Sequence, residues 1–321
     1  MDERKHSPFR VGVIGLGLMG RRMLGSLTPH SQFQVAAGFD LDGAAMQACA
    51  EQFGFEPACD AQALLARSDL DLIYVATPPA SHVELARRVI ESGRPLFLEK
   101  PLSVDLRGAQ ELVELVEASR LPAALNFPLA TLPGLRRIER ELADGTAGRP
   151  LRLEVTLHFS QWPRTWHVAG EWLAGDSEGG FLREVFSHFA YFTQRLLGPQ
   201  RVLHANVTRA PGQGETRVLA DLLAGDVPVS LVGGAGGAAP DFNGWTLFCE
   251  TRSYRLQDWA ELSFSDGAAW QPLEGDSNES RGAETQLDEL AALLRGEPSS
   301  LPDLRAGLDV MRVVEGLLAQ A

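Results

Sequence analysis

The sequence predicts two domains of different class: a doubly wound α/β unit over residues 1–126, and an α+β unit built on a largely antiparallel open sheet over 127–321. Three observations carry this reading. Short β-rich runs alternate with helical patterns as far as residue 126. Beyond it the grammar changes to strict apolar/polar alternation and then to a series of short strands. The length, 321 residues, suits two domains at roughly 100 to 200 residues each.

In the first half, runs at 10–15, 34–39, 71–76, 95–98 and 122–126 read as buried parallel strands. Between them 18–27, 41–53, 81–91 and 104–118 carry apolar residues at helical spacing, as in Leu85 and Val89, or Leu106, Ala109, Leu112, Val113 and Val116. In the second half a helix is expected at 131–142, ending before Asp144-Gly145. Residues 151–159 then alternate. Leu151, Leu153, Val155, Leu157 and Phe159 face a core, and Arg152, Glu154, Thr156 and His158 face away. Runs at 202–208, 216–223, 227–232, 245–250, 254–257 and 261–264 read as an antiparallel meander, with turns at Gly225-Asp226 and around 251–253. The stretch GGAGGAAP at 233–240 reads as a mobile loop. Helices at 283–294 and 304–318 close the chain, with Pro302 in a first helical turn.

Composition narrows the function. Hydrophobic residues make up 45% and charged residues 22%, an ordinary globular balance. With 29 basic against 42 acidic residues the net charge is −13, which repels phosphate backbones, so no nucleic-acid partner is expected. No apolar run approaches the roughly 18 residues of a membrane helix, and MDERKHSPFR lacks a secretory apolar core, so a soluble, cytoplasmic protein is expected. Cys49, Cys59 and Cys249 form no C-x-x-C pair and read as core thiols, with neither disulfide framework nor metal site. Of the 29 basic residues only Lys5 and Lys100 are lysine.

In VGVIGLGLMG, Gly15, Gly17 and Gly20 form G-x-G-x-x-G after a strand, with Leu18 and Met19 opening a helix. The first glycine permits a tight turn, the second lets the backbone approach a pyrophosphate, and the third allows close helix-to-strand packing. The helix N-terminus adds partial positive charge. Asp40 ends the second strand about 20 residues later, where an acid bonds the adenosine ribose of a dinucleotide in a Rossmann unit. Leu41 and Asp42 follow, rather than Arg or Ser, which favours NAD over NADP. Asp42 read as a helix cap, or a distant Arg reaching a 2′-phosphate, leaves NADP open.

Four stretches together resemble the Gfo/Idh/MocA oxidoreductases: VGVIGLGLMG, VATPPASH (75–82), LEKPLS (98–103) and EGGFLREVFSH (178–188). The resemblance implies that Lys100, in Glu99-Lys100-Pro101, lies beside a nicotinamide and exchanges a proton with a substrate hydroxyl. Composition agrees, since a lysine in an arginine-dominated chain suits a group that releases and regains a proton. Members often carry a cis peptide before this proline. The resemblance makes His188 the partner of Lys100 and puts Glu184 in the place of the usual Asp. At i, i+4 the two share one helix face. Glutamate's longer arm displaces the carboxylate, and Phe186 and Tyr191 replace smaller or acidic residues, which suggests a less polar pocket.

Thr77, Pro78, Pro79 and His82 follow a central strand and read as cofactor contacts, with capping or solvent exposure equally open for His82. Asn126 either reaches nicotinamide or substrate or closes a turn. Trp162, Arg164, Trp166, His167 and Trp172 suit a ring or carboxylate substrate, although three indoles more often pack a core or an interface. The resemblance implies a small-molecule substrate, namely a sugar, polyol or related secondary alcohol or ketone, and a homodimer or homotetramer assembled through the second sheet. The alternatives are a carbonyl or imine reductase on a less polar substrate and a noncatalytic nucleotide-binding sensor.

Overall fold

A computed structural model describes residues 7–166, 171–274 and 283–320. Strand β1 (Phe9–Ile14) runs through a glycine turn into helix α1 (Leu18–Leu27). There follow β2 (Phe33–Phe39), α2 (Gly43–Phe53), β3 (Glu56–Pro57), α3 (Ala61–Leu65), β4 (Leu72–Val75), α4 (His82–Glu91), β5 (Leu96–Glu99), α5 (Leu106–Ser119) and β6 (Ala123–Asn126). The strands form one parallel sheet in the order β3-β2-β1-β4-β5-β6. Strands β4 and β5 are buried at every position, as a parallel sheet covered on both faces requires. The order reverses between β1 and β4, which opens a crevice at the strands' carboxyl ends. The edge strand β3 was not expected, because its two exposed residues carry no apolar pattern.

The chain continues with α6 (Leu135–Ala143), β7 (Pro150–Phe159), a π-helical turn (Leu182–Phe186) leading into α7 (Ser187–Leu197), and β8 (Gln200–Arg209). Strands β9 (Glu215–Ala224), β10 (Val227–Ala235), β11 (Phe242–Cys249), β12 (Ser253–Gln257), β13 (Glu261–Ser265) and β14 (Gln271–Pro272) precede helices α8 (Ala283–Leu294) and α9 (Leu304–Leu318). The eight-stranded sheet has the order β14-β13-β12-β11-β7-β10-β9-β8.

Three expectations are corrected here. The sheet is not a plain meander, because β7 lies between β11 and β10 and pairs in parallel with β10. The glycine-rich stretch is partly strand: Gly233, Gly234 and Ala235 pair with Leu157, His158 and Phe159. A β-carbon on Gly233 would come within 3.1 Å of the Phe181 ring, so the bare backbone admits that ring. Leu151 is exposed, and burial along β7 starts at Leu153. On the buried face of this sheet Trp245 packs against Phe192 of α7 at 4.8 Å and donates its indole N–H to Thr193 Oγ1 at 2.9 Å.

The described residues form two compact units. One holds the residues up to Phe127 with those from α8 to Leu308, and the other holds the second sheet with the rest of α9. Leu287, Leu290 and Ala291 of α8 share a core with Val11, Val13, Leu72, Tyr74 and Phe97. Leu125 N–H donates to the Pro302 carbonyl at 2.9 Å, and Asp303 caps α9 through the Ala306 N–H, so Pro302 precedes that helix rather than opening it. Cys49 and Cys249 are buried but Cys59 is exposed, which corrects its reading as a core thiol. Among the described residues no helix is long and apolar enough to cross a membrane, and no group of three or more His, Cys, Asp or Glu could hold a metal ion.

Candidate functional site

The glycine turn is built as its spacing requires. Gly15 has φ +94°, and a β-carbon there would lie 2.6 Å from the Ala76 carbonyl, so only glycine lets the turn rest on the end of β4. A β-carbon on Gly20 would strike the Gly15 carbonyl oxygen, so α1 packs directly on the turn. Gly17 and Leu18 are exposed, Met19 is half-buried, and the space beside the Gly17 α-carbon is open. Helices α2, α3 and α5 start on the side chains of Asp42, Asp60 and Asp105, whereas α1 has no side-chain cap. Its first-turn N–H groups therefore face the approach that Gly17 leaves clear.

Asp40 is anchored at the end of β2, its two oxygens accepting from Leu16 N–H (2.6 Å) and Asp42 N–H (2.9 Å). One bond to each oxygen leaves lone pairs for a ribose diol. Asp42 accepts from Ala44 and Ala45 N–H, so it caps α2. These residues fit a dinucleotide, with pyrophosphate at the start of α1 and adenosine ribose at Asp40.

At the carboxyl ends of β4, β5 and β6 lies a buried polar chain. Glu99 Oε1 accepts from the Tyr74 hydroxyl and from Asn126 Nδ2, each at 2.5 Å, and Asn126 Oδ1 accepts from Gln286 Nε2 at 2.7 Å. Burial raises the Glu99 carboxyl above its ordinary range, against the opposing pull of Tyr74, Lys100 and Asn126. The Tyr74 hydroxyl is raised well above its ordinary value by burial and by Glu99. Lys100 follows directly, half-buried, with a cis peptide to Pro101.

His82 is fully buried rather than exposed. Its Nδ1 lies 2.8 Å from the Pro101 carbonyl and its Nε2 2.8 Å from the Thr77 carbonyl, so it ties the two motif loops together. Ser81 donates to Thr77 Oγ1 at 2.7 Å, while Pro78 is exposed and Pro79 buried. Tyr74 and Gln286 were not anticipated. A hydroxyl inside an otherwise apolar strand was the signal for the first, and Gln286 had none.

In the second unit Glu184 and His188 lie where a π-helical turn passes into α7. Such turns are frequent at functional sites. Two anchors hold this segment. Glu215 is buried and accepts from the Leu182 N–H. Arg183 makes a two-pronged pair with Glu315 (2.7 and 2.9 Å) and donates to the Asp176 and Gly179 carbonyls. Gly180, at φ +96°, lets its backbone lie flat against Glu215.

The buried His188 ring meets Trp259 edge-on, centroids 5.1 Å apart and planes at 88°. Trp259 was not anticipated. Phe186 is buried, and the Tyr191 hydroxyl, 3.4 Å from Arg195, accepts from that guanidinium.

Arg164 pairs with Asp241 at 3.1 Å and lies over the rings of Phe159 (4.7 Å), Trp162 (5.9 Å) and Trp166 (5.6 Å). Burial pulls its guanidinium below the ordinary value, while Asp241 and Glu184 pull it back up. Trp162 donates to the Leu173 carbonyl and packs on Phe159 and Phe181, Trp172 is half-buried, and Trp166 is half-exposed. His167 lies outside the described residues.

The model of the "Oxidoreductase family, NAD-binding Rossmann fold" matches residues 9–127. The dTDP-3,4-didehydro-2,6-dideoxy-alpha-D-glucose 3-reductase of Actinomadura kijaniata is 32% identical over 143 residues, 44% of this chain and 43% of the relative. The inositol 2-dehydrogenase of Rhizobium meliloti (strain 1021) is 23% identical over 193 residues, 60% of this chain and 56% of the relative. The chain thus spans about half the length of the curated relatives it matches. A crystal structure of the WlbA dehydrogenase from Bordetella pertussis, in complex with NADH and UDP-GlcNAcA, shares the fold at TM-score 0.82 and 20% identity, covering 98% of this chain and 96% of that one. The glycine turn, the anchored Asp40 and the Glu99-Lys100-Pro101 turn all lie inside the stretch 9–127, which matches the oxidoreductase family's NAD-binding Rossmann fold.

Proposed function

We propose that the protein is an NAD(P)-dependent oxidoreductase that passes hydride between the nicotinamide and a small sugar, polyol or related secondary alcohol or ketone. One observation carries this reading: Lys100 stands on a buried acid–tyrosine–amide chain at the carboxyl end of the same sheet that bears the glycine turn. The bound nicotinamide supplies the hydride acceptor or donor. Lys100 Nζ takes the substrate hydroxyl proton as the alcohol becomes a carbonyl and returns it in the reverse direction. Glu99, Asn126 and Gln286 hold the backbone from which Lys100 projects. His188 is assigned the second proton-handling role, with Glu184 beside it on the helix. The carboxylate of Asp40 favours NAD, because a 2′-phosphate would meet a fixed negative charge.

Separate fluorescence titrations with NADH and NADPH, followed by a panel of sugars, polyols, ketones and imines, test the proposal. Tight NADH binding, turnover of a panel member, and a Lys100→Ala variant that binds NADH without turning over are the expected results. Equal turnover in Lys100→Ala overturns the lysine assignment, and binding of neither nucleotide moves a noncatalytic role to the front. A carbonyl or imine reductase acting on a less polar substrate is the second reading, favoured by the Trp259 indole against His188. We extend the proposal to a cytoplasmic homodimer or homotetramer. The cross-strand pair Leu219 and Val232, 42% and 48% exposed on the outer face of the second sheet, supports assembly there, and light scattering tests it.

A further inference from the structure

The turn between β12 and β13 places two consecutive side-chain-bearing residues in the left-handed region, Asp258 at φ +44° and Trp259 at φ +73°. Strand pairing closes on either side through Gln257 and Glu261, and the Ala260 N–H donates to the Gln257 carbonyl at 3.2 Å. For such a turn, local chemistry selects Asn-Gly or Asp-Gly. This chain has the aspartate, but an indole occupies the glycine position. A bulky residue there is a backbone outlier, and its persistence means that the surroundings over-determine it.

The surroundings are visible. Asn243 N–H donates to Asp258 Oδ1 at 3.1 Å, and Asp258 N–H donates to the Asn243 carbonyl at 2.9 Å, which clasps the turn to β11. The indole then packs on Phe189 (5.3 Å, 34°) and meets the neighbouring His188 ring edge-on. A strained turn thus delivers an aromatic ring onto the one imidazole of α7. Packing alone would be served by a residue on a regular strand. The distinctive outcome is a fixed ring at His188.

We infer that Trp259 is the positioning residue for His188, its indole fixing the imidazole in one orientation. The inference rests on the role proposed above for His188, but the contact itself can be read without any substrate. Of the charged groups, Glu184 lies one helical turn before His188 and Asp258 directly precedes Trp259 in the turn, and Arg164 is coupled electrostatically to Glu184. An imidazolium quenches a touching indole more than neutral imidazole does. Wild-type tryptophan emission should therefore carry a component quenched by the His188 ring. That component should vanish in both Trp259→Phe and His188→Asn. With an active panel substrate, Trp259→Gly, which suits the turn, should lower kcat by about 100-fold through loss of orientation. KM and NADH affinity should stay near wild type, and Trp259→Phe should restore most of kcat. A quenched component that survives His188→Asn, its absence from the wild type, or wild-type kcat in Trp259→Gly overturns the inference. If no panel member turns over, the functional proposal fails while the emission result still decides the contact.

Discussion

Replacing Gly180 by alanine should unfold the second unit at markedly lower temperature, and the structure sets the size of the effect. At φ +96° an alanine pays the left-handed penalty, about 1–2 kcal/mol. Its β-carbon would also lie 2.8 Å from Glu215 Cδ and nearer still to Oε2, so the buried carboxylate must shift from the Leu182 N–H. Losing a hydrogen bond to a charged group at a buried site adds about 1.5–3 kcal/mol. The total is about 2.5–5 kcal/mol, and at roughly 2–4 °C per kcal/mol the midpoint should fall by about 5–20 °C. Scanning calorimetry measures it, and NADH affinity of the folded protein serves as the control. In a Glu215→Ala background the carboxylate is gone and only the left-handed penalty remains, so the two substitutions should be non-additive. A loss below about 1 kcal/mol, or simple additivity with Glu215→Ala, would refute the reasoning.

Burial raises the Glu215 carboxyl above its ordinary 4.5, opposed by the Leu182 N–H and by Arg183. Folding therefore takes up a proton there: the contribution to stability is full below 4.5 and is lost as pH rises through the folded value. Glu215→Gln should flatten that decline in urea denaturation measured across mildly acidic pH, and an unchanged slope counts against the assignment. Burial, with help from Glu250, pushes the Cys249 thiol up to about 11, and burial also raises Cys49. A chromogenic disulfide reagent should thus label only Cys59 in the native protein and all 3 cysteines in denaturant. Rapid native labelling of a second thiol would show the burial to be wrong. Gln286→Ala strands the buried Asn126 Oδ1 and should cost about 1–3 kcal/mol in chemical denaturation. A neutral result would mean that Asn126 finds another donor.

Much of the first unit was legible because its signals are short and local. The turn from β1 into α1 depends on backbone freedom at Gly15 and on bare α-carbons within six residues, and the sequence displays these directly. Lys100 stood out by chemical type, and the i, i+4 spacing of Glu184 and His188 said only that a helix there would put both on one face; the π-helical turn and α7 that carry them had no separate signal. The glycine stretch was misread because glycine propensity is a local statement. Pairing with β7, and the Phe181 ring that needs room at Gly233, override it.

The sequence by itself determined the two fold classes, the nucleotide turn, and the residue types available for proton transfer, since each depends on periodicity or on neighbours along the chain. Tertiary structure alone decided that Tyr74, Asn126 and Gln286 converge on and around Glu99, that Glu215 anchors the helix of His188, and that Trp259 lies against its ring. Gln286 and Asn126 are 160 positions apart. Such contacts are set by strand order, register and the packing of α8, and they arise only once the sheets have closed and water has left the groups between them.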